Sequence, residues 1–172
     1  MSQSVETHDQ TASLEKLTAL IDEIQFAMMT TIEADGSLRS RPMATHRNPG
    51  KVFDGALWFF TKADAPKTEE VREDQHVNLS YASTGQNKYV SLSGTAVLVR
   101  ERAKIEEFWN PKYKAWFPKG LEDPDLALLR VDVSKAEYWD TPSSSVVHVI
   151  GFIKATVTGK KYQPGDHEKV NL

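Results

Sequence analysis

Leu14, Leu17, Ile21 and Ile24 recur three or four residues apart, with Leu20 widening the apolar stripe and Ser13 placed as N-cap, a pattern that predicts an amphipathic helix over residues 13 to 25. The period then shortens. Residues 26 to 33 and 38 to 45 are strand-like runs on either side of Ala34, Asp35, Gly36 and Ser37, and an Asp-Gly between such runs predicts a β-hairpin. Pro42 lies in the second run and has no N–H for a ladder, so this strand belongs at a sheet edge or where pairing is interrupted. An interrupted strand leaves backbone polar groups free for a ligand.

Residues 46 to 55, with Asn48-Pro49-Gly50 and Asp54-Gly55, read as a loop. Ala56 to Phe60 is apolar at consecutive positions, which predicts a strand over 56 to 61 buried on both faces. A short helix follows, with Asp64 or Ala65 as its cap and Pro66 at its first position, and Lys67 and Thr68 fall in the N-terminal turn, where an anion is favoured. Val77, Leu79 and Tyr81 alternate with Asn78, Ser80 and Ala82, and a turn over 83 to 87 joins that strand to a longer one over 88 to 99, in which Gly94 marks a bulge. Residues 101 to 109 read as helix, Pro111 and Pro118 bracket a basic, aromatic segment, and further strands are expected over 126 to 133, 135 to 141 and 146 to 158. Strands joined mostly by turns predict a mainly β (α+β) fold, a closed antiparallel barrel of six or seven strands with peripheral helices. Residues 1 to 12 are expected to be a flexible N-terminus, 13 to 158 a single domain, and 159 to 172 a flexible tail with too little apolar content to pack by itself.

The chain of 172 residues is long enough to fold without staples, and it contains no cysteine, which removes disulfides, thiolate metal sites and a Cys nucleophile. Its polar, acidic first residues differ from a signal peptide, and its longest apolar run, Ala56 to Phe60, is too short to span a bilayer, so a cytoplasmic protein without a membrane partner is expected. A net charge of −3, with acids interspersed among the Lys and Arg, argues against nucleic acid as a partner. The five histidines have no metal-ligand spacing, and Ser143 to Ser145 lack the glycine frame of a nucleophile elbow. Glu69-Glu70 and Glu106-Glu107 read as solvated helix faces, because adjacent helix positions point in different directions.

The candidate chemistry is concentrated between Arg39 and Lys67. Arg39, Ser40, Arg41, Pro42 and Met43 are followed by Leu57, Trp58, Phe59, Phe60, Thr61 and Lys62, and then by Pro66, Lys67 and Thr68. Cations, an aromatic wall and a helix start suit a planar ligand bearing a phosphate. Taken singly, an Arg on a strand is more often solvated and a Trp-Phe-Phe run more often core; Phe59 in particular is as readily packing as ligand wall.

The order of these pieces resembles the pyridoxamine-phosphate-oxidase-like FMN-binding split barrels, general stress protein branch. The resemblance is carried by residues 35 to 43, by 57 to 61, by Lys67, and by Phe108-Trp109-Asn110-Pro111 leading to Ala115-Trp116-Phe117-Pro118. It implies a split barrel, a homodimer, and FMN, or FAD, in clefts between the subunits. It further implies that Arg41 and Lys67 neutralise the phosphate, with Arg39 or Lys62 as further cations. Thr61 would hydrogen-bond the phosphate, the backbone from Ser40 to Met43 would run beside the flavin ring, Trp58 and Phe60 would form its wall, and Trp116 would cover the flavin of the neighbouring subunit. The basic, aromatic segment around Trp116 is read equally well as surface packing. The Arg and His that orient the substrate in the oxidases have no counterpart near this C-terminus, so pyridoxamine-phosphate oxidase activity is not expected. Two functions fit: a flavin-dependent oxidoreductase using a reduced nicotinamide or another donor, and a stress protein that binds or sequesters flavin without turnover. A split barrel holding haem or a deazaflavin is disfavoured, since no His stands out as an axial ligand.

Overall fold

The structure is a computed structural model and describes residues 2–48, 50–140 and 166–171. Its elements in chain order are α1 (Ser2–Ile24), β1 (Phe26–Ile32), β2 (Leu38–Ala44), β3 (Ala56–Lys62), α2 (Pro66–Glu73), β4 (His76–Ser83), β5 (Lys88–Val99), α3 (Arg102–Phe108), β6 (Leu126–Asp140) and β7 (Asp166–Asn171), with short 3-10 segments at 84–86, 111–115 and 120–122. The strands form one antiparallel sheet in the order β2-β1-β4-β5-β6-β3, with β7 added to β6.

The sheet curls until its two ends nearly meet. Beyond β2, His46 and Trp58 of β3 exchange backbone hydrogen bonds of 2.8 and 2.9 Å, and this bridge joins the ends at one point. The result is the split barrel that the resemblance implied, joined at one point and not closed along its length as the turn pattern alone predicts. Pro42 is accommodated because β2 is an edge strand, paired on one side only with β1. The β1–β2 hairpin turns at Asp35-Gly36, where Gly36 adopts φ +82° and donates its N–H to Glu33 O at 2.8 Å.

Leu17, Leu20 and Ile21 of α1 fill the barrel interior together with Met29, Leu57, Phe59, Leu79, Tyr81, Leu92 and Leu129. Phe59 is therefore core. On the opposite face of β3 and β6 lies a second apolar cluster in which Phe60, Leu126 and Leu128 are covered by Ile105 of α3 and by the aromatic residues of the 108–117 segment. The unbroken apolar run of β3 is explained by these two clusters, one on each face.

Several boundaries differ from the sequence reading. Helix α1 starts at Ser2, so Ser13 is inside it and buried, and does not cap it. The apolar periodicity that drew attention to residue 13 reports which part of the helix is covered, not where the helix begins. The runs 126–133 and 135–141 are one strand, β6, through Asp140, because Ser134 is the extra residue of a bulge. Residues 166–171, expected to belong to a tail, form β7 on the β6 edge; pairing through backbone needs no apolar content of its own. The strand expected over 146–158 lies outside the described residues.

The bulge opposite Gly94 is real: the β5–β6 register shifts between Ser93 and Gly94, and a Cβ at Gly94 would stand 2.2 Å from Asp132 O. Backbone cannot yield as a flexible side chain does. Gly94→Ala is therefore expected to cost about 2 kcal/mol of stability, typical of overpacking, as read from a shift in the urea midpoint; an unchanged midpoint would show that the bulge can open without penalty.

Candidate functional site

A cavity of ≈ 810 Å³ opens between the end of α1, the end of β2 with the chain beyond it, Phe60, the start of α2 and the aromatic segment after α3. Of the residues singled out from sequence, Pro42, Met43, Phe60, Lys67 and Trp116 line it. Trp116 is 68% exposed, a large apolar surface at the edge of the site. Arg39, Ser40, Arg41, Trp58, Thr61 and Lys62 are outside its lining.

Lys67 enters through local geometry. Pro66 begins α2 with no N–H to satisfy, Ala65 is the capping residue, and Lys67 follows in the first turn. Its ammonium is half-buried and makes no hydrogen bond or ion pair among the described residues. Burial first, and then the charge of Arg41, lower its pKa, while Glu70 opposes the shift. An ammonium held in this way gains from any anion that reaches it.

Arg41 is committed elsewhere. Its Nη2 donates to Glu70 Oε2 and its Nη1 to Thr31 Oγ1, both at 2.7 Å, while the Thr31 hydroxyl donates to the same Glu70 oxygen. Glu70 and Thr31 are buried, and Arg39 approaches Glu70 Oε1 at 3.9 Å. This corrects the reading of Glu69-Glu70 as a solvated pair. Glu69 is exposed and meets Arg72, whereas Glu70, one position on and about 100° around the helix, faces inward to Arg41.

The remaining candidates have protein partners. Thr61 is buried and its hydroxyl donates to Lys62 O at 3.3 Å. Lys62 is exposed and pairs with Asp123 at 3.4 Å. Trp58 packs on Phe108, with the Lys104 ammonium 4.8 Å and the Arg130 guanidinium 5.7 Å from its ring centroid. Ser40 is exposed and shares a 2.6 Å hydrogen bond with Thr30.

The structure adds cavity residues that the sequence reading passed over. His46 sits in an aromatic setting, its ring centroid 5.1 Å from Phe60 and 5.0 Å from Tyr113, and burial lowers its pKa from 6.5 to about 4. Tyr113 Oη and His46 Nδ1 are 3.3 Å apart, and burial raises the phenol pKa. His46 and Tyr113 are 67 residues apart in the chain, and nothing in their spacing announces the contact. Tyr113 did fall in the basic, aromatic segment that stood out, and Asn110 shapes that segment by accepting from Lys112 N–H at 3.0 Å.

The arrangement can hold a flat ligand against aromatic side chains and backbone, with one unpaired cation for an acidic group. Residues 12–163 match the family described as pyridoxamine 5'-phosphate oxidase like. The chain belongs to that family, which accounts for the split barrel. It is 31% identical over 153 residues to protein bli-3 of Neurospora crassa, a match covering 84% of this chain and 72% of the fungal protein. The general stress FMN/FAD binding protein of Xanthomonas citri superposes with a TM-score of 0.66 at 29% identity, covering 76% of this chain and 90% of that one. General stress protein 26 of Bacillus anthracis str. Sterne shares the fold, with a TM-score of 0.63 at 21% identity over 72% of this chain and 91% of its own.

Proposed function

We propose that the chain binds FMN, with FAD as the alternative occupant, as a cytoplasmic homodimer in which the flavin passes electrons from a reduced nicotinamide or another donor to an acceptor. Lys67 carries the reading: a half-buried ammonium without a hydrogen-bonded partner among the described residues, on the wall of a cavity rich in aromatic side chains. Such a wall fits a ring, and such a cation fits a phosphate. Arg41, tied to Glu70 and Thr31, is close enough for its charge to act on Lys67, and Glu70 opposes it. The FMN/FAD-binding relative from Xanthomonas citri supports the assignment.

The dimer is supported by the outer face of the β1–β2 hairpin. Phe26, Met28 and Leu38 are 55%, 43% and 72% exposed there, on the same side as Pro42, and Phe26 also lines the cavity. Apolar surface of that kind on a sheet calls for a partner, and a second copy placed on it would complete the cavity wall and cover Trp116. When bound, the flavin would supply the redox chemistry, while this chain binds it, orients it and excludes water.

The test is titration of the purified chain with FMN and riboflavin. Lys67→Ala should weaken FMN roughly thirtyfold, for the loss of a charge-assisted bond worth about 2 kcal/mol, and leave riboflavin unchanged. Equal losses would assign Lys67 to the fold, and no flavin binding by the wild type would end the proposal. Steady-state oxidation of a reduced nicotinamide then separates an oxidoreductase from a protein that only stores flavin.

A further inference from the structure

Among the side chains that line the cavity, Lys67 and His46 are of opposite character. Lys67 supplies charge. His46 supplies a neutral imidazole whose surroundings leave it one role. The phenol of Tyr113 is held in its protonated form by burial, and a phenol donates a hydrogen bond more readily than it accepts one, so Tyr113 O–H donates to His46 Nδ1 across 3.3 Å. An imidazole that accepts at Nδ1 while neutral carries its proton on Nε2.

Nε2 has no hydrogen-bond partner among the described residues, yet it is not one of the buried unsatisfied atoms, so it retains access to the cavity that His46 lines. The backbone beneath it is pinned by the two hydrogen bonds to Trp58, and the ring is flanked by Phe60 and Tyr113. A donor held this firmly and open to the cavity is placed to pair with an acceptor on a ligand.

Resting on the flavin reading above, we propose that His46 is a specificity residue whose Nε2–H, its tautomer fixed by Tyr113, donates to a ring carbonyl of the bound ligand. The cavity is then polarised. The acidic group of the ligand goes to Lys67, and the uncharged, carbonyl-bearing ring goes to His46, because a dianion gains more from an ammonium than from a neutral imidazole. The two residues fix the direction in which a phosphorylated planar molecule enters, and ring carbonyls at that end are what distinguish a flavin from an apolar aromatic compound of similar size.

The experiment titrates riboflavin and FMN into the full-length wild type, His46→Leu, His46→Gln and Tyr113→Phe, and records the nitrogen-15 shifts of the histidine ring in the ligand-free wild type. The expected result is an Nε2-protonated His46, and a loss of roughly three- to tenfold for His46→Leu that is the same for both flavins, as for one neutral hydrogen bond. His46→Gln, which keeps a neutral donor, should restore most of the affinity, and Tyr113→Phe, which releases the tautomer, should fall between. A proton on Nδ1, unchanged affinities in His46→Leu, or a Gln variant as weak as the Leu variant would overturn the inference while leaving the flavin reading in place. Wild-type protein that binds neither flavin would overturn both, and that outcome is recognisable before any variant is made.

Discussion

Arg41→Ala and Glu70→Ala should each lower the unfolding free energy by about 3–5 kcal/mol, enough to unfold much of a marginally stable domain, because either change leaves a buried charge without its partner. In Arg41→Ala, the Glu70 carboxylate keeps the Thr31 hydroxyl close by, Arg39 at 3.9 Å and the charge of Lys67, but no directly paired cation. In Glu70→Ala, the Arg41 guanidinium and the Lys67 ammonium are left together with no acid between them. Side-chain exposures of 17% for Arg41 and 10% for Glu70 put the expected cost nearer the lower figure than for a fully dry pair. The double variant should lose much less than the sum of the two, since the second removal discharges what the first left unpaired. Urea denaturation of the four proteins gives the coupling directly. Additive losses would mean that the two side chains act through separate packing contacts. Glu70→Gln has a further consequence for the ligand: it raises the positive potential around Lys67 while keeping a hydrogen-bond acceptor for Arg41, so FMN should tighten relative to riboflavin.

Much of the fold was legible because a local rule and the tertiary structure agree at the same residue. Pro42 demands an edge, and β2 is one. Gly94 suggests a bulge, and Asp132 O leaves no room for a Cβ. Ala56 to Phe60 asks for burial on both faces, and the two apolar clusters provide it. What escaped was set by pairings between distant residues. Glu70 differs from Glu69 only in facing Arg41, 29 residues earlier in the chain, and no periodicity of a helix of eight residues records that. His46 follows the last residues of β2 and precedes Asn48-Pro49-Gly50 in the sequence, so by composition it belongs to a loop; its bridge to Trp58 exists only because the sheet curls and brings β3 alongside. Of the candidate site, Pro42, Met43, Phe60, Lys67 and Trp116 line the cavity, and Lys67 was legible because Pro66 marks the helix start beside it. Thr61 and Trp58 share the strand of Phe60, but their side chains meet protein neighbours.

Acidification should destabilise the protein through His46 by about 3 kcal/mol between pH 6.5 and 4, and this contribution should be absent from His46→Gln. Burial lowers the imidazole pKa from 6.5 to about 4 in the folded chain. Above pH 6.5 the imidazole is neutral in both folded and unfolded protein, and no stability difference arises. As the pH falls from 6.5 toward 4, the unfolded chain takes up a proton that the folded chain refuses, so unfolding is favoured progressively. Below about pH 4 both states are protonated, and the deficit stays at its full value. The other ionisable groups are common to wild type and variant, so the difference between the two isolates His46. The measurement is the unfolding free energy of both proteins at pH 7, 6, 5 and 4. The wild type should lose stability faster by up to about 1.4 kcal/mol per pH unit, the slope of one proton. Parallel curves would mean that the imidazole protonates without resistance in the folded state, and that packing among Phe60, Phe108 and Tyr113 does not disfavour its charge.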